Sequence, residues 1–242
     1  MKILVVGATG ATGRLLTEQL LNRGHQVKVI VRSPQKLPEA VQNHARLTVV
    51  QAAVLELSDA QLEQHVAGCD AVASCLGHNM TLKGIYGQPR RLVVDATRRL
   101  CEAIGANRPH SPVKFVLMNT TGNRNRDLDE PISLAQKGAV ALLRLLLPPH
   151  ADNEQAANYL RTKVARDGPF VEWTAVRPDT LIDAPEVTPY ELHPSPIRSA
   201  LFDPGQTSRI NVGHFMAELI TNEQCWQQWK GQMPVIYNRH VA

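Results

Sequence analysis

Short apolar runs rich in β-branched residues alternate along the chain with longer amphipathic stretches. The apolar runs predict strands at 3–6, 26–32, 46–50, 70–77, 114–119, 172–177 and 233–238. The amphipathic stretches predict helices around 15–21 and at 59–67, 90–103, 132–147, 152–166 and 212–220. Strands that alternate with helices form a parallel sheet with right-handed crossovers. We therefore predict an α/β fold with a doubly wound parallel sheet.

The domain organisation is predicted to be simple. A chain of 242 residues is long enough for one well-buried α/β domain. The stretch 184–208 contains several Pro and Ser residues and few apolar runs, which predicts a loop. No internal repeat or low-complexity linker divides the sequence. We predict a single domain over 1–242, whose C-terminal part from about residue 178 contributes to the substrate side.

Three glycines at a spacing of three separate the first predicted strand from the first helix. A strand, a tight Gly-rich turn and a helix opening in close succession are the context of a dinucleotide-binding fingerprint. The glycines allow a sharp turn, close approach of the backbone to a pyrophosphate, and close helix–strand packing. The N–H groups at the helix start then face the phosphates. The predicted phosphate-binding residues are Gly7, Thr9, Gly10, Ala11, Thr12 and Gly13.

The second predicted strand ends at Arg32 and Ser33, and it has no carboxylate there. A carboxylate at that place binds the ribose 2′-OH of NAD, whereas a cation accommodates the 2′-phosphate of NADP. Arg14, directly after the third glycine, and Lys36 add positive charge to the same region. These residues favour NADP over NAD, although an arginine at a strand end is also compatible with a solvated side chain.

Further candidate residues follow the carboxyl ends of later strands. Ligands of open parallel sheets bind outside those ends. Cys75 to Gly77 end the fourth predicted strand, His78 comes next, and Thr120 follows the fifth. We expect these residues to gather with the glycine turn along one edge. His78 has two interpretations, a contact with substrate or phosphate and a histidine of a surface loop.

Tyr159 and Lys163 are four residues apart in a predicted helix, so they share a helix face. A neighbouring ammonium lowers the pKa of a phenol, which then exchanges a proton with a carbonyl or an alcohol. The hydroxyl of Thr120 or Thr121 would polarise the same oxygen. We therefore predict Thr120, Tyr159 and Lys163 as the catalytic residues of a reductase. A chance spacing, with Tyr159 in the core, is the alternative.

Composition narrows the class of protein and its surroundings. The net charge of +4 and the pI of about 9.0 suit a phosphate-rich ligand but are too small and scattered to indicate nucleic acid. The four cysteines have no C-x-x-C spacing, so we predict free thiols and no metal. No apolar run is long enough for a signal sequence or a bilayer span. We expect a cytoplasmic monomer or homodimer that acts on a small molecule, without a membrane partner.

The glycine turn, the basic end of the second strand, the Thr-Thr-Gly after the fifth strand and the stretch 171–183 resemble the atypical short-chain dehydrogenase/reductase superfamily. Within it, the chain is most similar to the NAD(P)-binding NmrA-like and flavin/biliverdin-reductase-like groups. The resemblance implies a Rossmann fold that binds NADP, with Thr120 at the catalytic Ser/Thr position and Tyr159 and Lys163 as the Tyr-x-x-x-Lys pair. It also implies cofactor contacts from further residues: Ala53, Val54, Cys75, Leu76, Gly77 and Pro178.

Two departures from the family pattern bear on the reaction. Thirty-eight residues lie between Thr120 and Tyr159, more than usual, and the acidic residue that often meets the adenine after the third strand is missing. We predict an NADP-dependent oxidoreductase that transfers a hydride to a small carbonyl, quinone or flavin-like acceptor. The alternatives are an NADP(H)-binding redox sensor without turnover and a nucleotide-sugar epimerase or dehydratase.

Overall fold

The computed structural model of the chain describes residues 1–78, 81, 86–128, 130, 147–164, 168–200 and 202–239. The predicted helix 132–147 lies outside the described residues except for its last position. The predicted helix 152–166 is described as far as residue 164.

The strands form one large sheet and one small one. Their bounds are β1 Lys2–Val6, β2 Gln26–Val31, β3 Leu47–Gln51, β4 Ala71–Ser74, β5 Val113–Met118, β6 Val171–Pro178, β7 Thr180–Ile182, β8 Tyr190–His193, β9 Gln206–Ser208 and β10 Val235–Asn238. The eight-stranded sheet has the order β3-β2-β1-β4-β5-β6-β10-β8, and β7 pairs with β9. Only β8 runs antiparallel to its neighbour within the described sheet. The predicted α/β fold with a doubly wound parallel sheet is confirmed.

Helices cover both faces of the large sheet. Their bounds are α1 Ala11–Asn22, α2 Glu39–Gln42, α3 Asp59–Val66, α4 Leu92–Ala106, α5 Pro148–Tyr159, α6 Arg209–Thr221 and α7 Glu223–Trp229. A π-helical turn, Leu160–Val164, continues α5, and a 3-10 turn, Pro34–Lys36, follows β2. Within the part of the chain that the structure describes, no helix has both the length and the apolar character needed to cross a membrane.

The alternation of side chains along the strands divides the core into two layers. In β1, Leu4 and Val6 face the layer formed with α3, α4 and α5, whereas Ile3 and Val5 face the layer formed with α1, α6 and α7. All four side chains are at most 1% exposed. A strand buried on both faces needs apolar residues at every position, which explains the uninterrupted apolar runs of the sequence.

The register of the central strands brings several turns together. Val6 of β1 lies beside Ser74 of β4, and Ser74 lies beside Leu117 of β5. The chain therefore leaves β1, β4 and β5 at neighbouring points on the carboxyl edge of the sheet. This edge is where open parallel sheets bind their ligands.

Three predictions of secondary structure are corrected. β4 ends at Ser74, so 75–78 is a loop instead of a strand. The predicted loop 184–208 contains the short strands β8 and β9, which pair with β10 and β7 respectively. The unpredicted helix α7 begins after Asn222, whose side chain accepts a hydrogen bond from Cys225 N, and it adds the buried Trp226 to the core.

The start of α5 is also different from the prediction. The helix begins at Pro148, four residues before the predicted N-terminal cap at Asp152. Proline is favoured in the first turn of a helix because the N–H that it lacks would have no intrahelical partner. Asp152 therefore lies inside α5 and is free to cap another element.

Candidate cofactor and reaction site

The glycine turn after β1 is packed so closely that side chains are excluded. Gly7 has φ of 80°, and a Cβ placed there would lie 2.5 Å from the carbonyl carbon of Cys75. A Cβ on Gly13 would lie 2.2 Å from the carbonyl oxygen of Gly7. Gly7 is therefore required by backbone conformation and by the loop after β4, and Gly13 is required by the contact between α1 and the turn.

The start of α1 is open to an anion. Gly10, the N-cap residue, makes no side-chain capping bond, and the first turn of the helix contains no acidic residue. Gly10 N donates to Gly7 O at 3.0 Å, which holds the turn in shape. The first N–H groups of a helix have no intrahelical partner and carry the positive end of its dipole. The residues present thus fit the pyrophosphate of a dinucleotide.

Two arginines lie beside this turn with their charges unused. Arg14 in α1 and Arg32 after β2 are both exposed, and neither forms an ion pair with another described residue. Lys36 is also exposed, whereas Ser33 is half-buried. Several other described arginines form ion pairs; Arg23, for example, pairs with Glu218 at 2.7 Å. Arg14 and Arg32 are therefore available to an anionic ligand.

The loop after β3 is held in place by Arg99 of α4. The Arg99 guanidinium donates to the carbonyl oxygens of Leu55 at 3.0 Å and Leu57 at 2.5 Å, and it pairs with Asp59 at 2.7 Å. Ala53 is half-buried, while the side chain of Val54 is only 6% exposed and packs into the core. Both residues remain predicted adenine contacts, and Ala53 is the more accessible of the two.

The loop after β4 lies against the glycine turn. Cys75 contacts Gly7 through its backbone and places its sulfur 3.9 Å from the sulfur of Met216. Leu76 is half-buried and Gly77 is exposed. Cys75, Leu76 and Gly77 thus lie where a cofactor bound at the turn would extend along the sheet edge, and their cofactor contacts stay predictions.

The loop after β5 is hydrogen-bonded to α5 and to the end of β6. Asn119 accepts a hydrogen bond from Thr120 N at 2.9 Å and donates one to Asn153 O in α5 at 2.9 Å. Thr121 N donates to Pro178 O at the end of β6 at 3.1 Å. Thr120, which is half-buried, and Pro178 therefore lie at adjacent strand ends, as the sequence predicts.

A histidine next to Thr120 was not predicted from the sequence. A Cβ on Gly122 would lie 3.4 Å from Cε1 of His150 and 3.6 Å from Oγ1 of Thr120. His150 belongs to the first turn of α5, so its approach to Thr120 depends on how α5 packs. The start signal Pro148-Pro149 was the one local indication that this histidine is helical.

A buried His–Asp pair is the second feature that the sequence did not predict. Nε2 of His78 and Oδ2 of Asp152 are 2.7 Å apart, and their side chains are 5% and 1% exposed. Asp152 also accepts hydrogen bonds from the backbone N–H groups of Val93 at 2.8 Å and Val94 at 3.0 Å, at the start of α4. Asp152 therefore caps α4 instead of its own helix. The partners are 74 residues apart in sequence, so no local pattern indicated the pair.

Tyr159 is not placed where the predicted reaction needs it. Tyr159 is seven residues beyond Asp152 in α5, which puts it about 10 Å further from the carboxyl edge along the helix. It packs against the core, and its electrostatic neighbours Arg98, Cys101 and Glu102 belong to α4. Burial, reinforced by Cys101 and Glu102, raises the pKa of Tyr159 to about 12. The expected lowering of this pKa is wrong.

Lys163 does not form the predicted pair with Tyr159. The chain leaves α-helical geometry at Leu160, so the four-residue spacing no longer defines one helix face. Lys163 is exposed, and it does not contribute to the pKa of Tyr159. The catalytic role of Tyr159 and Lys163 stays a prediction, and the observed placement argues against it.

A buried ion pair holds together the loop after β5 and the segments after β8 and before β10. Arg177, at the end of β6, is fully buried and pairs with Glu130 at 2.8 Å. Its guanidinium also donates to the carbonyl oxygens of Asn123, Pro194 and Met233 at 2.6 to 3.0 Å. These bonds join the loop after β5 to the segments before β10 and after β8. No group of His, Cys, Asp or Glu within the described ranges is arranged to hold a metal ion.

The sheet order, the glycine turn and the open start of α1 together define a dinucleotide-binding protein of the Rossmann type. A model of the NAD(P)H-binding family matches residues 7–223, and the chain belongs to that family. The predicted membership of an NAD(P)-binding family is confirmed.

Solved structures with the same fold cover nearly the whole chain. The oxidoreductase ylbE of Lactococcus lactis aligns with a TM-score of 0.69 and 17% identity over 100% of this chain and 93% of that one. A short-chain dehydrogenase/reductase of Veillonella parvula, in complex with NADP, aligns with a TM-score of 0.70 and 19% identity over 98% and 94%. A candidate NADH-flavin reductase of Streptococcus pneumoniae aligns with a TM-score of 0.66 and 19% identity over 99% and 100%. At these identities the likeness shows the fold alone.

A relative with higher identity is matched over a shorter stretch. An uncharacterized chloroplastic protein of Arabidopsis thaliana is 42% identical over 72 residues, which are 30% of this chain. The matched stretch spans 25% of that relative's own length. This match adds nothing on the reaction.

Proposed function

We propose that the chain is an NADP-dependent oxidoreductase that transfers a hydride to a small carbonyl, quinone or flavin-like acceptor. The observation that carries the proposal is the glycine turn with Arg14 and Arg32 exposed and unpaired beside it. A bound nicotinamide supplies the hydride, and the protein binds the cofactor and positions the acceptor. Thr120, at the neighbouring strand end, is proposed to hold the acceptor oxygen.

The preference for NADP over NAD rests on charge. Near neutral pH the 2′-phosphate of NADP is mostly a dianion. Charge-assisted hydrogen bonds from a guanidinium to such a group are among the stronger polar contacts. Each such bond contributes about 1.5–3 kcal/mol, which corresponds to roughly a 10- to 100-fold change in affinity. We therefore expect NADPH to bind more tightly than NADH, with most of the difference due to Arg32.

Fluorescence titration of the two cofactors tests this preference. The variant Arg32→Asp should weaken NADPH binding by roughly 10- to 100-fold and leave NADH binding within about threefold. Arg108→Asp is the matched control, because it makes the same change in net charge at an exposed residue between α4 and β5. Equal affinity for the two cofactors in the wild type, or no effect of Arg32→Asp, would contradict the preference for NADP.

A steady-state assay tests the reaction itself. NADPH oxidation is followed with quinones, free flavins and aldehydes as acceptors, and at least one class should be reduced. A chain that binds NADPH tightly but reduces none of them would contradict the oxidoreductase function.

One observation favours a second candidate function. Tyr159 packs on α4 and has a raised pKa, which disfavours it as a proton donor. The second candidate is an NADP(H)-binding redox sensor that passes the state of the cofactor to another protein without turnover. Tight binding of both NADP and NADPH without reduction of any acceptor supports the sensor.

A further inference from the structure

The buried pair of His78 and Asp152 has more partners than a helix cap requires. A carboxylate that caps a helix needs the helix N–H groups alone. Asp152 accepts both of those, from Val93 and Val94, and in addition a bond from His78 at 2.7 Å. With three donors, the carboxylate is held in one orientation, and it holds the imidazole in turn.

The geometry defines which ring nitrogen of His78 is available. A carboxylate oxygen accepts hydrogen bonds, so Nε2 of His78 carries the hydrogen that points to Asp152. Nδ1 is then left to exchange a proton with another group. An imidazole whose Nε2 is held by a carboxylate can give or take a proton through its second nitrogen.

The loop that carries His78 and the helix that carries Asp152 each contact one part of the candidate site. On one side, Cys75 contacts Gly7 of the glycine turn, and His78 follows three residues later in the same loop. On the other side, Asn153, the neighbour of Asp152 in α5, accepts a bond from Asn119, the residue before Thr120. The loops after β4 and β5 are thus joined at the edge where a bound cofactor would extend toward an acceptor.

The neighbouring charged and titratable side chains on α4 and α5 have contacts of their own. At the start of α4, Arg91 pairs with Asp95 at 3.5 Å and donates to Gln155 at 2.7 Å, so it is engaged away from Asp152. On α5, His150 lies next to Gly122, two residues after Thr120.

We infer that His78 is the proton donor of the proposed reduction and that Asp152 is the residue that positions it. This inference rests on the proposed oxidoreductase function. Bound NADPH would supply the hydride to the carbonyl carbon of the acceptor and become NADP, and the carbonyl electron pair would move to oxygen. The oxygen takes the proton from Nδ1 of protonated His78, and neutral His78 recovers a proton from solvent.

Replacement of the imidazole by an amide tests the inference. His78→Gln keeps a donor for Asp152 but cannot transfer a proton, so kcat should fall by about 100-fold or more, as for loss of a general acid. The affinity for NADPH should stay within about twofold, because hydrogen bonding to Asp152 is kept. The solvent deuterium isotope effect on single-turnover NADPH oxidation should also change, and the limb of the pH profile on which kcat falls with rising pH should disappear. His110→Gln, at an exposed histidine before β5, is the control.

A spectroscopic measurement tests the positioning role without turnover. In wild-type protein with labelled histidine, the NMR signal of His78 should shift when NADP binds, and that of His110 should not. In Asp152→Asn the NMR signal of His78 Nε2 should change in the cofactor-free protein, because the carboxylate that accepts its hydrogen is gone. This measurement also decides the matter if His78→Gln folds poorly.

The outcomes separate the two levels of the argument. Unchanged kcat, isotope effect and pH profile in His78→Gln, with NADPH oxidation intact, would contradict the donor role and leave the oxidoreductase function standing. A wild-type chain that binds NADPH but reduces no acceptor would contradict both. An identical His78 NMR signal in wild type and Asp152→Asn would contradict the positioning role of Asp152.

Discussion

The close contact between Gly13 and Gly7 predicts that substitution of Gly13 lowers both the stability of the protein and its affinity for NADPH. In Gly13→Ala the new methyl carbon would lie 2.2 Å from Gly7 O, 2.8 Å from Gly7 C and 3.1 Å from Ala8 Cα. All three atoms belong to the backbone, so no side-chain rotation relieves the overlap. Real Cβ contacts essentially never fall below 3.0 Å, so α1 or the turn must move.

The expected cost follows from two opposing effects. Alanine is better than glycine in a helix by about 0.8–1 kcal/mol, and Gly13 has helical conformation in α1. Overpacking of a tight backbone contact costs about 1–3 kcal/mol or more. The distance from the new Cβ to Gly7 O would have to increase from 2.2 Å to at least 3.0 Å. A packed core does not accommodate such a change without displacement of the backbone, so the steric cost should exceed the gain in helix propensity. We expect a net loss of about 1–2 kcal/mol in the free energy of unfolding and at least about a tenfold loss in NADPH affinity.

Urea denaturation and fluorescence titration of NADPH measure the two effects. Gly105→Ala in α4 is the matched control, because the nearest atom to its new Cβ, in Phe170, is 4.0 Å away. The control should stabilise the protein by about 0.5–1 kcal/mol and leave NADPH binding unchanged. A Gly13→Ala variant as stable as the wild type, with unchanged NADPH affinity, would refute the reasoning about the turn.

Two further predictions concern buried polar groups. Arg177→Met leaves the buried Glu130 without its ion-pair partner and should lower the free energy of unfolding, measured by urea denaturation, by about 3–5 kcal/mol. The double variant Arg177→Met/Glu130→Gln should recover part of this loss. Equal stability of the single and double variants would contradict this coupling. Burial raises the pKa of Tyr159 to about 12, so the absorbance difference between wild type and Tyr159→Phe in an alkaline titration should develop only above pH 10. Since the folded state holds this proton more tightly than the unfolded state, Tyr159 should make stability decrease as pH rises from about 10 to about 12. A phenol that ionises below pH 10 in the folded protein would restore Tyr159 as a candidate donor.

The accuracy of the sequence-based predictions depended on the range of the interactions involved. The strands of the large parallel sheet were predicted apart from small shifts in their ends, because burial on both faces demands continuous apolar runs. β8 was missed because its apolar–polar alternation, with Tyr190 and Leu192 packed on the core, spans only four residues of a stretch rich in Pro and Ser. Its pairing with β10, which is distant in the chain, fixes it as a strand. The start of α5 was misplaced because Asp152 has the chemistry of an N-cap and uses it on α4.

The candidate site divides in the same way. The glycine turn and Arg32 follow from local sequence, because a tight turn and a strand end are defined by neighbouring residues. The acid–base chemistry did not follow. The spacing of Tyr159 and Lys163 predicted a shared face, but the π-helical turn from Leu160 changes the register and the packing on α4 buries the phenol.

By itself, the sequence determined the class of fold, the position of the phosphate-binding turn and the cations beside it. Each of these depends on backbone conformation or burial within one strand–turn–helix unit. Only the tertiary structure decided which polar groups meet near the carboxyl edge: His78 pairs with Asp152, and Asn119 bonds to Asn153. These contacts join loops and a helix that are far apart in the chain, and they form because strands and helices pack in one particular register.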